Sequence, residues 1–345
     1  MSERWQAQRD ALESFLREMV EGRPQPLYRM LEYHLGWTDE QGNPRPETPL
    51  RPRGLLALLV ADALGDDFRP ALPVAGAVEL AFQFAEVHRD LHQARLERDR
   101  RPAVWYLWGP AMAINVGDSL HALARLALFR LGEAGLPPEQ VFAFARDLDE
   151  AVLRLCEGEY QDLQAQERLE VPLSTYRKTA SARSGALLGV GLALAGRAVG
   201  CPPARADALE RAGVALGVAL QGRQEIAEVW GPEADGVPAG LLSKRKGLPV
   251  VLAFESAPYR LRRELGSLYF KRVLEPSDLP RLRALLEEAG ALSRALEEVR
   301  REEEAGLALL AEAGLPLQAR EEVRALLEAC APLPAQPPTA QEPER

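Results

Sequence analysis

Apolar side chains recur along this chain at the spacing of amphipathic helices. In the first segment, residues 4–20, they fall three and four positions apart and so share one helix face. No segment shows the sustained alternation of β-branched residues that indicates a strand. The pattern predicts further helices over residues 26–35, 53–64, 70–98, 110–131, 139–166, 172–199, 205–230 and 249–255, with shorter, charge-rich helices from position 259 onward.

Segments rich in glycine and proline separate the predicted helices. Residues 36–52 carry four prolines and two glycines, and residues 231–247 lack helical spacing, so both are predicted loops. Residues 332–345 are rich in Pro, Gln and Glu, and we expect them to form a disordered tail. The pattern therefore predicts an all-α protein whose residues 1–331 form one domain, with central helices ringed by others.

Composition narrows the class of protein. With 47% hydrophobic residues the 345-residue chain can bury a substantial core, and a net charge of −9 argues against nucleic acid as the main partner. The negative net charge does not exclude a local basic pocket that binds a small anion. The three cysteines lie far apart, which argues against a disulfide framework or a zinc cluster. No apolar run reaches about 18 residues, so we expect no membrane span and a cytoplasmic protein.

The stretch from Trp108 to Leu120, WGPAMAINVGDSL, carries the most specific signal. It resembles the segment after the first Asp-rich motif of the trans-isoprenyl diphosphate synthases, or polyprenyl synthetases. The resemblance extends in order from Tyr28 to Glu255. It implies the isoprenoid synthase fold, with central helices around a deep cavity, a role in isoprenoid biosynthesis, and assembly as a helical homodimer.

The resemblance also implies a metal site, because the two Asp-rich motifs of the family hold Mg²⁺ ions that bridge to the allylic diphosphate. Aligned back from Pro102, the first motif falls on residues 89–93. Its first and last aspartates become Arg89 and Gln93, and only Asp90 remains as a carboxylate. Arg89 would place a cation where Mg²⁺ should lie, which opposes strong metal binding.

The second Asp-rich motif is altered in a similar way. Gln221 matches the family glutamine, and the acidic positions that follow it become Gln224, Glu225 and Glu228. Glu225 and Glu228, together with Asp90, are the candidate metal ligands. The alternative is that the two glutamates belong to a solvated acidic face of the helix.

A histidine pair raises a separate metal hypothesis. His88 and His92 lie four residues apart on the predicted helix, which is a spacing that metal ligands use. The sequence shows no HExxH pattern and no assured third ligand, so we favour a packed or capping pair.

Basic residues mark the diphosphate sites that the resemblance implies. Arg51 and Arg53 match arginines of the homoallylic diphosphate site, where Leu50 replaces the family lysine. Lys178 and Thr179 match a Lys-Thr pair on an apolar central helix, where a buried lysine would need an anionic partner. The two pairs in or next to predicted loops, Arg51 with Arg53 and Arg245 with Lys246, could also be ordinary solvated charges. The remaining candidates are Arg98, from an arginine pair whose second member is Asp99 here, and Arg245 with Lys246, from a basic pair after the second motif.

Three hypotheses of function follow from these substitutions, because function depends on the site rather than the fold. The one that we favour is a polyprenyl synthetase-like protein with impaired catalysis, acting as a non-catalytic or regulatory subunit in a homodimer or in a heteromer with an active prenyl synthase. The second is a prenyltransferase that condenses isopentenyl diphosphate with an allylic diphosphate through an altered Mg²⁺ site. The third is a protein that binds an isoprenoid or another lipid without chemistry.

Overall fold

Helices account for nearly all of the regular structure in the computed structural model, which describes residues 3–231 and 239–334. The all-α class predicted from the sequence is confirmed. The α-helices of these two ranges are α1 Glu3–Val20, α2 Pro26–His34, α3 Pro52–Gly65, α4 Leu72–His92, α5 Val104–Trp108, α6 Pro110–Glu133, α7 Pro138–Gln166, α8 Leu173–Ala180, α9 Ala186–Ala198, α10 Pro203–Trp230, α11 Ala239–Leu242, α12 Leu248–Ser256, α13 Tyr259–Phe270, α14 Leu279–Glu288, α15 Ala291–Glu312 and α16 Leu317–Cys330.

The helix predicted over residues 70–98 is too long at its C-terminal end. Helix α4 ends at His92, and two short antiparallel strands follow it, β1 Glu97–Arg98 and β2 Arg101–Pro102. Asp99 and Arg100, which join the strands, both have positive φ angles, 51° and 57°. Two such residues form the tight turn that suits a hairpin. An earlier turn at Gln93 and Ala94, where Ala94 has a positive φ of 48°, reverses the chain directly after α4 and places Arg98 against that helix.

The helix predicted over residues 172–199 contains one wider turn. Helices α8 and α9 are joined by a π-helical turn at Ser181–Gly185. A π turn inserts an extra residue and changes which side chains face the neighbouring helices. Arg183 lies in this turn and is almost completely buried, at 1% exposure.

Small residues let the central helices approach closely. A Cβ atom added to Gly217 of α10 would lie 2.4 Å from the carbonyl oxygen of Ser184, and one added to Gly213 would lie 2.6 Å from the Cα of Gly189. Alanine, leucine and valine fill most of the main apolar core around these helices. A further apolar cluster lies around α12, α13 and α14.

Two predicted segments, the C-terminal tail and the loop 231–247, lie partly outside the described residues. The predicted tail from position 335 onward, and residues 232–238 of the predicted loop 231–247, lie outside the described residues. The rest of that loop contains the four-residue helix α11. Among the helices that the structure describes, none is long and apolar enough to cross a membrane.

Candidate functional site

The remaining carboxylate of the first motif is paired with an arginine. Asp90 accepts two hydrogen bonds from Arg98, at 2.8 Å from Nε and 2.6 Å from Nη2. The same guanidinium also donates to Glu86, one turn earlier on α4. The turn after α4 allows this contact, because it places β1, which contains Arg98, beside the helix that carries both carboxylates. Asp90 is therefore held in a bidentate ion pair.

Arg89 connects α4 to α7. Its guanidinium contacts Glu159 through Nε at 3.0 Å and Nη2 at 2.6 Å, and it also donates to Glu86. Arg183, from the π-helical turn, contacts the same oxygen of Glu159, with Nε 3.1 Å from Oε1. An arginine thus occupies the first position of the motif and joins two helices through carboxylates.

Glu225 of the second motif is surrounded by donors. It accepts hydrogen bonds from the hydroxyl of Tyr176 at 2.8 Å, the amide side chain of Gln221 at 2.9 Å and the backbone N–H of Leu248 at 2.6 Å. Arg245 adds an ion pair to the same carboxylate. These partners leave Glu225 little free acceptor capacity for a metal ion.

Further contacts join the two motifs into one cluster. Arg245 reaches Asp162 of α7 at 3.2 Å, and Arg95 lies 3.8 Å from both Asp90 and Glu228. Glu228 also accepts a hydrogen bond from the backbone N–H of Gly240 at 2.7 Å. We call the cluster the arginine–carboxylate network. Its members are Glu86, Arg89, Asp90, Arg95, Arg98, Glu159, Asp162, Arg183, Glu225, Glu228 and Arg245.

Neighbouring charges oppose the effect of burial on several groups of the network. Burial alone would raise the pKa of Glu159, but Arg183 and Arg89 outweigh burial and lower that pKa to about 2. Burial also opposes ionisation of Glu86, yet the neighbouring arginines bring its pKa below the ordinary range. For Arg245, burial favours the neutral form, and Asp162 and Glu225 nevertheless raise its pKa. Burial raises the pKa of Asp90, and Arg98 opposes that rise. The network contains six carboxyl groups and five guanidinium groups.

These residues do not fit Mg²⁺. The ion requires octahedral oxygen ligands and usually keeps several waters, whereas the carboxylates are engaged by guanidinium groups. The cavity beside Glu225, Glu228 and Arg245 has a volume of about 10 Å³, which is room for roughly one water molecule. Among the residues that the structure describes, no three His, Cys, Asp or Glu side chains form a group that could hold a metal ion.

The histidine pair packs rather than converges on a ligand. The Nε2 atom of His88 lies 3.3 Å from the carbonyl oxygen of Ile114 and 3.9 Å from Asp118, and its ring packs edge-on against Phe84. A Cβ atom on Gly117 would lie 2.2 Å from that nitrogen, so α6 approaches the ring closely. His92 is exposed.

The two arginines predicted for the homoallylic diphosphate have different environments. Arg51 is buried and paired with Glu13 at 3.2 Å. Arg53 is also buried, with its guanidinium carbon 3.0 Å from the centre of the Phe82 ring. Within the described ranges Arg53 has no hydrogen bond or ion pair, and burial lowers its pKa to about 10. Since Arg89 lies 5.9 Å from the same ring, Arg53 borders the network.

The other predicted binding residues are dispersed. Lys178 is exposed, so the argument that a buried lysine needs an anion does not apply to it. Thr179 is buried, with its hydroxyl 3.4 Å from the side-chain oxygen of Gln161. Gln224 is exposed, and Gln93 is buried at the end of α4. Lys246 is buried against the ring of Tyr269, and burial lowers its pKa to about 8.

Sequence reasoning missed five of the eleven residues of the network. Glu86, Glu159, Asp162, Arg95 and Arg183 match no motif residue that we assigned. A partial signal exists, because Glu159 and Asp162 lie three residues apart and so share one face of α7. The inward direction of Arg183 depends on the π turn, which the apolar periodicity does not reveal.

Comparisons with known proteins agree with this architecture. The family model described as polyprenyl synthetase matches residues 50–285. The chain is 35% identical to a geranylgeranyl diphosphate synthase of Mycobacterium tuberculosis, over 80% of this chain and 79% of that one. It is 32% identical to a (2E,6E)-farnesyl diphosphate synthase of the same species, over 85% and 82% of the two chains.

A solved structure extends the similarity to the fold. A polyprenyl synthetase from Streptomyces coelicolor A3(2) superposes with a TM-score of 0.83 at 29% identity, covering 94% of this chain and 98% of the other. The sequence motifs, the helical architecture and the position of the altered Asp-rich motifs all indicate the same family. The chain belongs to the polyprenyl synthetase family.

Proposed function

We propose that this protein is a polyprenyl synthetase-like component of isoprenoid biosynthesis that has lost metal-assisted catalysis and acts as a non-catalytic or regulatory subunit. One observation carries the proposal: arginine side chains are paired with the carboxylates at both altered Asp-rich motifs. A guanidinium group carries one positive charge and is fixed by its own hydrogen bonds. It cannot replace Mg²⁺ ions that neutralise a departing diphosphate.

The charge of the network supports the same proposal. Five guanidinium groups nearly balance six carboxylates before any ion binds. An incoming Mg²⁺ ion would have to displace a buried guanidinium, and breaking a buried ion pair costs roughly 3–5 kcal/mol. The site therefore offers little net attraction for a divalent cation.

A product assay tests the loss of catalysis. Purified protein is incubated with Mg²⁺, isopentenyl diphosphate and dimethylallyl, geranyl or farnesyl diphosphate, beside an active family member as the control. We expect no prenyl product, and no rise of the melting temperature on addition of Mg²⁺. Turnover with any allylic substrate contradicts the proposal.

The surface supports association with another subunit. Exposed apolar side chains lie on both α6 and α7, including Leu126, Phe129 and Leu153 at 43%, 49% and 63% exposure. Apolar surface of this kind is commonly covered by another chain. Co-expression with a prenyl synthase from the same cell, followed by affinity purification of either subunit, tests a heteromer. Recovery of each protein alone contradicts it.

Metal-dependent condensation is the second candidate, favoured by the 35% identity to a chain named a geranylgeranyl diphosphate synthase. The substitution Glu225→Gln separates the two candidates, because it removes the charge and keeps the shape. Product that forms with the unaltered protein and is lost in Glu225→Gln supports condensation. The control is Glu157→Gln, which alters an exposed carboxylate on α7. Circular dichroism must show that both variants fold, since Glu225 also orders Tyr176.

A further inference from the structure

Helix α13 combines exposed aromatic side chains with positive charge. Tyr259 and Phe270 are 79% and 86% exposed, and Val273 just beyond the helix is 65% exposed. Residues 259–273 contain five basic residues and one acidic residue, in a chain whose net charge is −9. This segment is thus both more basic and more apolar on its surface than the protein as a whole.

The exposed groups share one side of the helix. Tyr259 and Phe270 are eleven positions apart, which is close to three helical turns and roughly 16 Å along the axis. Arg263 lies between them on the same side, one turn after Tyr259. The opposite side, with Leu261, Leu265 and Leu268, is buried in the protein. Leu169, 45% exposed, extends the apolar surface, because its side chain lies beside Gly266.

Three arginines on this surface are available for a ligand. Arg260, Arg263 and Arg272 are exposed, and within the described part of the chain none of them forms a hydrogen bond or an ion pair. Two neighbouring acidic groups are already engaged: Glu264 pairs with Arg281 at 2.6 Å, and Asp278 pairs with Lys271 at 2.6 Å.

Other charges complete the surroundings. Lys244 adds a cation, because its ammonium group donates to the carbonyl oxygen of Lys271. Glu170 and Glu275 are exposed acidic residues at the edge. The balance of the surface therefore stays positive.

We propose that this α13 face, formed by Tyr259, Arg260, Arg263, Phe270, Arg272 and Val273 with Leu169, is a docking surface for an anionic lipid bilayer. A helix that lies in the bilayer interface places aromatic side chains among the acyl chains and extends arginines to the phosphates. Two aromatic side chains separated by three turns hold the helix axis parallel to the bilayer surface. The negative charge elsewhere on the protein directs this face toward an anionic surface.

The position of the face relates it to the arginine–carboxylate network. Tyr269, on the buried side of α13, packs against Lys246 at 4.5 Å, and Lys246 follows Arg245 of the network. Docking through α13 would hold this end of the helical bundle close to the membrane, where long isoprenoid chains partition. The inference does not depend on whether the site catalyses a reaction.

Vesicle co-sedimentation tests the proposal with the full chain. The probes are vesicles of phosphatidylcholine alone and of phosphatidylcholine mixed with phosphatidylglycerol. We expect binding to the mixed vesicles only, weakening as salt is raised. Each basic residue near an anionic surface contributes appreciably to binding, so Arg260→Glu with Arg263→Glu lowers the affinity at least about tenfold. Phe270→Ser lowers it as well.

Matched variants guard against unfolding and general charge effects. Arg300→Glu with Arg324→Glu reverses two exposed arginines without ion pairs in the described ranges, and Leu317→Ser removes an exposed apolar side chain on α16. These controls keep the binding of the unaltered protein, and all variants keep its melting temperature. Absence of binding to mixed vesicles, or equal loss in the controls, overturns the proposal. Capture of an acidic protein by this face without vesicle binding overturns the lipid assignment.

Discussion

At the scale of single residues, arginines pair with the carboxylates of both altered motifs. Mg²⁺ exchanges ligands and can add a substrate oxygen to its coordination shell, whereas a guanidinium group donates in fixed directions to the carboxylates that hold it. Arg89 and Arg245 each bridge carboxylates on two elements. The two arginines therefore contribute to the stability of the fold, and the unfolding free energy measures that contribution.

Glu159→Gln tests that contribution through pH. Since the pKa of Glu159 is lowered to about 2 from an ordinary 4.5, its charge stabilises the fold above pH 4.5, and this stability is lost as the pH falls toward 2. We expect the variant to lose about 3 kcal/mol of unfolding free energy at pH 7, and progressively less below pH 4.5. Urea unfolding across this pH range measures the difference.

The control for this prediction lies on the same helix. Glu157 is exposed and forms no ion pair in the described ranges, so Glu157→Gln should change stability by less than about 0.5 kcal/mol. Equal stability of Glu159→Gln and the unaltered protein at pH 7 would contradict the structural role of the network.

The same substitution to methionine should have opposite effects on stability at Arg51 and at Arg53. Arg51→Met removes the ion pair with Glu13, to which only Trp37 still donates in the described ranges, and should destabilise the protein by about 3 kcal/mol. Arg53→Met removes a buried charge that has no ion pair in the described ranges, and should stabilise the unliganded protein by roughly 1 kcal/mol. It should also abolish any rise of the melting temperature caused by pyrophosphate. Retention of that rise would exclude Arg53 from the predicted diphosphate site.

At the scale of elements, interruptions of helices build the site. Periodicity located the helices well, with α7 and α10 beginning and ending within a few residues of the prediction. It did not locate the hairpin after α4 or the π turn before α9. Neither carries a glycine or asparagine signal at its centre: the hairpin turn is Asp99-Arg100, and the π turn continues a helical pattern. Yet these two features contain Arg98 and Arg183, which both belong to the network.

Close packing of α9 and the π turn on α10 predicts the effect of one added methyl group. Gly217→Ala would place a Cβ atom 2.4 Å from the carbonyl oxygen of Ser184. Because that oxygen belongs to the backbone, the backbone would have to move to make room for the methyl group. We expect a loss of about 1–3 kcal/mol in thermal or urea unfolding. Gly132→Ala is the control, because its Cβ would meet only Val141 at 3.8 Å. That variant should be neutral or stabilised by up to about 1 kcal/mol; destabilisation of both variants alike would contradict the packing argument.

At the scale of the whole molecule, two different surfaces stand out. Exposed apolar side chains lie on α6 and α7, and the α13 face is apolar and basic. We assign the first to another protein subunit and the second to lipid. The assignments are independent, since variants of one surface should leave the function of the other unchanged.

The double substitution Leu126→Glu with Leu153→Glu tests the first assignment. Charge on both helices makes burial of these side chains unfavourable, so we expect the double variant to sediment as a monomer, more slowly than the unaltered protein, in sedimentation velocity at micromolar concentration. Leu317→Glu, which changes an exposed leucine on α16, should sediment like the unaltered protein. If the double variant sediments like the unaltered protein, subunits do not associate through these side chains.

The sequence by itself determined the family, the helical class and the loss of aspartates, because ungapped motifs and apolar periodicity are local properties. It also placed Arg89 in the first motif and Glu225 in the second. Only the tertiary structure decided what those residues do, because an ion pair depends on which helix face meets another. Folding brings Glu159 and Asp162 of α7 between the two motifs and buries Arg183 beside them, while Lys178 faces solvent. The carboxylates left at the altered motifs thereby acquire arginine partners from outside their own helices.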